Sequence, residues 1–286
     1  MKLKKDINIL IIGLGIIGGS YAMALKKQGY YVSAITKEKS DIDYALKNKI
    51  IDYGTTEIEE DLICNSDLVI FALYPGIFIG WLTEHQHLFK SGAILTDVTG
   101  VKSCIVHEIQ SLLREDIEFI AAHPMAGKES SGVQNSDDSI FKGANYIIVP
   151  TDKNSESAIE LCSDLGKILG FKDISVLSPE KHDEMIAFLS QLTHCIAVSL
   201  MCCSDGENLE RYTGDSFRDL TRIARINDLM WSELFSLNKE ALLSQMDKFK
   251  NSFDELYEKI KSDDIDGVRK MMRYSTERRK LFDKTN

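Results

Sequence analysis

Three groups of residues in this sequence have the types and spacing to do chemistry. The first is Gly13-Leu14-Gly15-Ile16-Ile17-Gly18, set between an apolar run at 7–12 and a helical rhythm at 21–27. In that context Gly13 permits a tight turn, Gly15 lets the backbone approach a pyrophosphate, and Gly18 allows close helix–strand packing. The helix N-terminus supplies amide donors for the phosphates. The second is His123-Pro124, which ends the apolar run 117–122. Proline disfavours the helical region for the residue before it, so His123 is expected to be extended at the strand's end. Such a histidine is either an imidazole at the mouth of a cleft or an ordinary strand-end residue. Gly127 and Gly132 flank Lys128-Glu129-Ser130-Ser131 in a loop able to approach a substrate. The third group is helical: Ser190 and His194, four apart with His182 further toward the N-terminus, then Arg218, Arg222 and Arg225 with Asp219 three before Arg222. On helices these would share faces. The arginines are either solvated surface charges or, oriented by an Asp, a fork for a substrate carboxylate.

The elements that must position these groups alternate. Strands are expected at 7–12, 30–35, 67–73, 93–97, 117–122 and 145–150, with helices at 21–27, 41–49, 77–88 and 104–114. This predicts an α/β, Rossmann-type, doubly wound and mostly parallel sheet. At the end of the second strand stand Thr36 and Lys37, where NAD enzymes usually place an acid. A hydroxyl and an ammonium suit a 2′-phosphate, which tilts the reading toward NADP, and Glu38 keeps NAD open. From Ser178-Pro179-Glu180, a helix start with a capping hydroxyl and a first-turn proline, the chain reads as helical. That helix is expected to run to about 201. Leu242, Met246, Phe249, Phe253, Leu256 and Ile260 form a four-three seam for another helix. Two domains are expected, 1–173 and 174–286.

The 286 residues carry a net charge of −10, which argues against nucleic acid or an anionic membrane as main partner. An anionic substrate then needs local Arg or Lys. Six cysteines without CxxC spacing read as reduced thiols in a cytoplasmic protein, with no metal site. No stretch is expected to reach the roughly 18 apolar residues of a membrane helix.

Gly13 to Ser20, then His123-Pro124-Met125-Ala126-Gly127, Ser190-Gln191-Leu192-Thr193-His194 and Phe217-Arg218-Asp219-Leu220-Thr221-Arg222-Ile223-Ala224 come in the order of the prephenate dehydrogenase family, which the chain resembles over nearly its whole length. The resemblance implies a Rossmann domain, an all-α C-terminal dimerisation domain and a homodimer. It also implies oxidative decarboxylation of prephenate, a small-molecule substrate, to 4-hydroxyphenylpyruvate with NAD or NADP, in tyrosine biosynthesis. It makes His123 the proton acceptor, His194 and Ser190 a substrate-binding pair, Arg222 the carboxylate holder, and Asp219 and Glu129 acidic companions at the cleft entrance. Two positions depart from the family. Gly100 stands where a serine often contacts the histidine, with Thr99 or a water as the expected stand-in. Lys128 stands where a small hydroxyl residue is common, adding a cation near the substrate. The neighbouring readings are arogenate dehydrogenase and, from another class, a catalytically silent NAD(P)-binding sensor.

Overall fold

A computed structural model describes residues 3–128 and 130–283. The strands β1 (Ile9–Ile12), β2 (Val32–Ile35), β3 (Tyr53–Thr55), β4 (Leu68–Phe71), β5 (Ile94–Asp97) and β6 (Glu118–Phe119) form a parallel sheet in the order β3-β2-β1-β4-β5-β6. Their near-continuous apolar character follows from burial on both faces. Alternate residues diverge: Ile9, Ile11, Leu68 and Ile70 join one core, while Leu10, Ile12, Val69 and Phe71 join the other. The helices between the strands are α1 (Ile16–Lys27), α2 (Lys39–Lys47), α3 (Glu60–Cys64), α4 (Pro75–His85) and α5 (Ser103–Leu112). The alternating α/β reading therefore holds.

One residue beyond β6 the chain changes sheets. β7 (Ala121–Pro124) pairs antiparallel with β8 (Asn145–Val149), which pairs in parallel with β9 (Asp173–Val176), and α6 (Glu156–Leu169) lies between β8 and β9 in sequence. His123 sits within β7 opposite Ile147, so the strand runs through the His-Pro pair instead of stopping before it. The last parallel bond runs from Ile120 N to Leu95 O at 2.9 Å.

Past that point Ala122 would face β5 with unmatched polar groups, and a buried ion pair receives them. Asp97 Oδ1 accepts from Ala122 N at 3.1 Å, and Lys102 Nζ donates to Ala122 O at 2.7 Å. Lys102 Nζ lies 2.6 Å from Asp97 Oδ2, and both side chains are fully buried. Burial pushes the Lys102 ammonium's pKa down, against the pull of Asp97.

The second half is helical: α7 (Pro179–Ile186), α8 (Leu192–Cys202), α9 (Asp215–Thr221), α10 (Asp228–Leu237), α11 (Lys239–Lys261) and α12 (Ile265–Arg279). A π-helical turn, Ala187–Gln191, joins α7 to α8. Within the resulting 24-residue helix one 18-residue window has a mean hydropathy of 1.7, which passes for a membrane span by length and composition alone. Its buried polar groups are instead bonded inside the protein. Gln191 Nε2 donates to Leu234 O at 3.0 Å, and Asn238 Nδ2 donates to Gln191 Oε1 at 2.8 Å and to Asp183 O at 3.0 Å.

The chain packs as two compact units, Met1–Asn238 and Lys239–Asn286. In the second, Asp264 caps α12 by accepting from Gly267 N at 2.9 Å, and Phe249, Phe253, Tyr257 and Ile260 of α11 are exposed.

Because Lys102 is the counter-charge of a buried carboxylate, Lys102→Met is expected to destabilise the fold by about 3–5 kcal/mol. Urea unfolding of the two proteins checks this. A loss under about 1 kcal/mol would show that Asp97 does not need its partner.

Candidate active site

The glycine loop is shaped as its spacing predicts. Gly13 has a φ of +100°, and a Cβ there would run into the carbonyl oxygen of Ala72. A Cβ at Gly18 would strike the carbonyl oxygen of Gly13, whereas nothing lies within 4 Å of one at Gly15. The loop is thus closed where it must turn and pack, and open where a pyrophosphate would approach. Gly13 N donates to Ile35 O at 2.8 Å and Leu14 N to Thr36 Oγ1 at 3.5 Å, which ties the loop to the end of β2. Ser136 Oγ braces it from the other side, donating to the carbonyls of Gly15 at 3.3 Å and Ile16 at 3.2 Å. The first turn of α1, with Ile16 and Ile17, has neither an acidic residue nor a side-chain cap, leaving its amides for an anion. These residues fit a nicotinamide dinucleotide. Lys37 is exposed beside Thr36.

His123 Nδ1 lies 2.9 Å from His182 Nε2, and His182 Nδ1 lies 2.7 Å from Asp183 Oδ1. Asp183 also accepts the backbone N–H of Lys102 at Oδ1 and of Ser103 at Oδ2, both at 2.8 Å. Burial alone would raise the Asp183 carboxyl's pKa, but the bonds from His182 and these two amides hold it below the usual carboxylate range. An ionised carboxylate only accepts, so His182 carries its proton on Nδ1 and presents a lone pair at Nε2. His123 must then carry its proton on Nδ1, which leaves its own Nε2 as a free base. Burial, then the facing His182 and Lys102, push His123 well below its ordinary pKa of 6.5, so it is neutral at physiological pH. Burial likewise lowers His182, with its bond to Asp183 working the other way.

Thr99 is placed differently from its expected role. Its hydroxyl donates to Asp97 Oδ2, lies 3.1 Å from Val101 O and accepts from Lys102 Nζ at 3.2 Å, so it belongs to the buried ion pair and does not orient His123. Position 100 faces the free nitrogen instead: a Cβ on Gly100 would lie 3.9 Å from His123 Nε2 and 3.6 Å from Leu234 Cδ1. Sequence reasoning noted His182 only for its position and missed Asp183, Lys102 and Asp97. The separation of 59 positions between His123 and His182 hides that contact from any local pattern.

Ser190 and His194 do meet, through the main chain: His194 Nδ1 donates to Ser190 O at 2.9 Å. The His194 ring stacks on Trp231, centroids 3.7 Å apart. Trp231 stands three residues before Leu234 on α10, so one face of that helix approaches both the His194 ring and position 100, about one turn apart. The arginines do not share one helix, because α9 ends at Thr221 and a 3₁₀ turn takes over at Arg222–Ala224. Arg218 is held locally, by Asp215 Oδ1 at 3.0 Å and Thr213 O at 3.1 Å. Arg222 and Asp219 are exposed. Lys128 Nζ pairs with Asp137 Oδ2 at 2.9 Å on the surface. Glu129 lies outside the described residues.

Comparison with known proteins agrees with this architecture. Residues 21–174 match the family model for the prephenate dehydrogenase nucleotide-binding domain, and 178–274 match that for the prephenate dehydrogenase dimerization domain. Prephenate dehydrogenase of Bacillus subtilis is 30% identical over 276 residues, covering 94% of this chain and 74% of that protein. Cyclohexadienyl dehydrogenase of Zymomonas mobilis is 30% identical over 268 residues, covering 91% and 90%. Among solved structures, prephenate dehydrogenase from A. aeolicus in complex with hydroxyphenyl propionate and NAD+ superposes with a TM-score of 0.90 at 29% identity, covering 99% of this chain and 100% of that one. A dinucleotide loop, a buried-network histidine and these matches across both halves agree on one conclusion: the chain belongs to the prephenate dehydrogenase family.

Proposed function

We propose that this protein oxidatively decarboxylates prephenate to 4-hydroxyphenylpyruvate, with His123 as the general base. The observation that carries this reading is His123 on β7 beside a dinucleotide-binding sheet, its Nδ1 engaged by His182 at 2.9 Å, which turns Nε2 to the role of base. A nicotinamide dinucleotide held by Gly13, Gly15 and the first-turn amides of α1 would supply the acceptor for a hydride from the carbinol carbon. His123 Nε2 takes the hydroxyl proton as the carbonyl forms, so the O–H electron pair becomes the second C–O bond. Loss of carbon dioxide then aromatises the ring, and His123 returns the proton to the phenolate oxygen. The remaining work of the protein is orientation and neutralising a dianion. Arg222 holds a substrate carboxylate, His194 and Ser190 bind the substrate from the helical side, Lys128 adds a cation toward the anionic substrate, and Asp219 is the acidic companion of Arg222.

Residues 1–173 form the nucleotide-binding division and 174–286 the helical division for substrate binding and dimerisation. The exposed apolar face of α11 and the matched dimerization-domain model support a homodimer. The location is cytoplasmic, in keeping with six free cysteines and a small-molecule dehydrogenase. The cofactor is NAD or NADP, with Thr36 and the exposed Lys37 favouring the 2′-phosphate.

The test is initial-rate reduction of NAD and of NADP with prephenate, with arogenate in parallel. Turnover of prephenate is expected, and Lys37→Ala is expected to lower kcat/KM for NADP about tenfold while leaving NAD within about threefold. Turnover of arogenate alone would replace the substrate, and cofactor binding without turnover of either would replace the enzyme by a sensor.

His123→Asn is expected to lower kcat by roughly 10²–10⁴ with cofactor affinity retained. A base acts when neutral, and His123 stays neutral to below its ordinary 6.5. The wild-type kcat/KM should therefore hold level as pH falls through 6.5 and decline only on the acid side of it. An acid limb centred above 6.5 would contradict this.

A further inference from the structure

The bond between His123 and His182 has a consequence beyond the choice of base. We infer that His182, held by Asp183, is a positioning residue that keeps the proton of His123 on Nδ1 and its Nε2 bare, so that this chain orients its base from behind, with glycine at position 100. The inference rests on His123 being the base.

The geometry leaves little freedom. Asp183 sits in a fork of backbone amides from Lys102 and Ser103, both at 2.8 Å, at the start of α5. Its carbonyl is held by Asn238 Nδ2 at 3.0 Å, and His182 has no exposed side-chain surface. His182 therefore cannot turn to offer its other nitrogen without breaking the 2.7 Å bond to Asp183. The groups facing the two histidines are Lys102 before α5, Asp97 at the end of β5, Asp183 on α7 and Leu234 on α10. When His123 accepts a proton at Nε2, the imidazolium keeps its Nδ1–H on His182, and the Asp183 carboxylate at the far end of the chain of bonds offsets the new charge.

Gly100 supplies the second observation. A Cβ there would make only ordinary contacts, at 3.6 and 3.7 Å to Leu234 and 3.9 Å to His123 Nε2. The backbone there leaves room for a Cβ, yet the chain carries no side chain to support the ring from that side. Support for the imidazole comes from the Nδ1 side.

His182→Ala is expected to lower kcat about 10²-fold, with KM for prephenate and for the dinucleotide changed less than about threefold. His182→Gln, whose amide oxygen reaches the place of Nε2, should recover at least about tenfold of that loss. Adding Gly100→Ser to His182→Ala should recover activity by supporting the ring from the other side. If His182→Ala does not fold, His182→Gln against His182→Asn carries the test, since the Asn oxygen falls short of His123. Equal losses in the Gln and Asn variants, with melting temperatures falling in step, would reduce His182 to a packing residue and overturn the inference. So would a wild-type kcat and pH profile in His182→Ala, or in His182→Asn where the alanine variant does not fold, while His123→Asn stays impaired. An active His123→Asn would strike down the underlying assignment of the base instead.

Discussion

The structure depends on how the chain leaves its parallel sheet at Ala122. A strand that switches partners must strand a peptide group between two ladders, and an unpaired buried amide costs as much as a lost hydrogen bond. Asp97 and Lys102 accept and donate at that peptide from one side while β8 takes the other neighbours. Two buried opposite charges are costly to desolvate, and their pairing alone seldom repays it. Here each charge also satisfies a backbone group, and together they fix the next residue in the chain, His123.

The same loop joins the ion pair to the histidines. Lys102 contributes its ammonium to Asp97 and its backbone N–H to Asp183. Asp183 fixes His182, and His182 fixes His123. The side that grips the peptide before the histidine and the side that sets its tautomer therefore meet in one residue. The π turn that follows has a matching place in this design. It lets one continuous helix carry His182 inward at one end and bring the His194 ring against Trp231 at the other, consistent with the frequent use of π turns at functional sites.

Much of this was legible in the sequence because it is local. The glycine spacing, the apolar runs and the helix start at Ser178 each carry a short-range cause, and His123 was exposed by the proline beside it. The network behind it was not legible. Lys102 follows a turn and His182-Asp183 sits in a polar stretch, so each looks like a solvated surface group until the fold closes around it. Thr99 was misread for the same reason, since adjacency to Gly100 said nothing of its attachment to Asp97. The arginine helix was over-extended because helical spacing persists through Arg225 while the backbone tightens after Thr221.

The central claim is that this scaffold delivers a neutral His123 with its proton on Nδ1. Nitrogen-15 NMR of histidine-labelled protein near pH 7, with His123→Asn assigning one signal among six histidines, reads that tautomer directly. The account predicts a neutral His123 ring protonated at Nδ1, with an unprotonated Nε2. A ring protonated at Nε2, or charged at that pH, would contradict it.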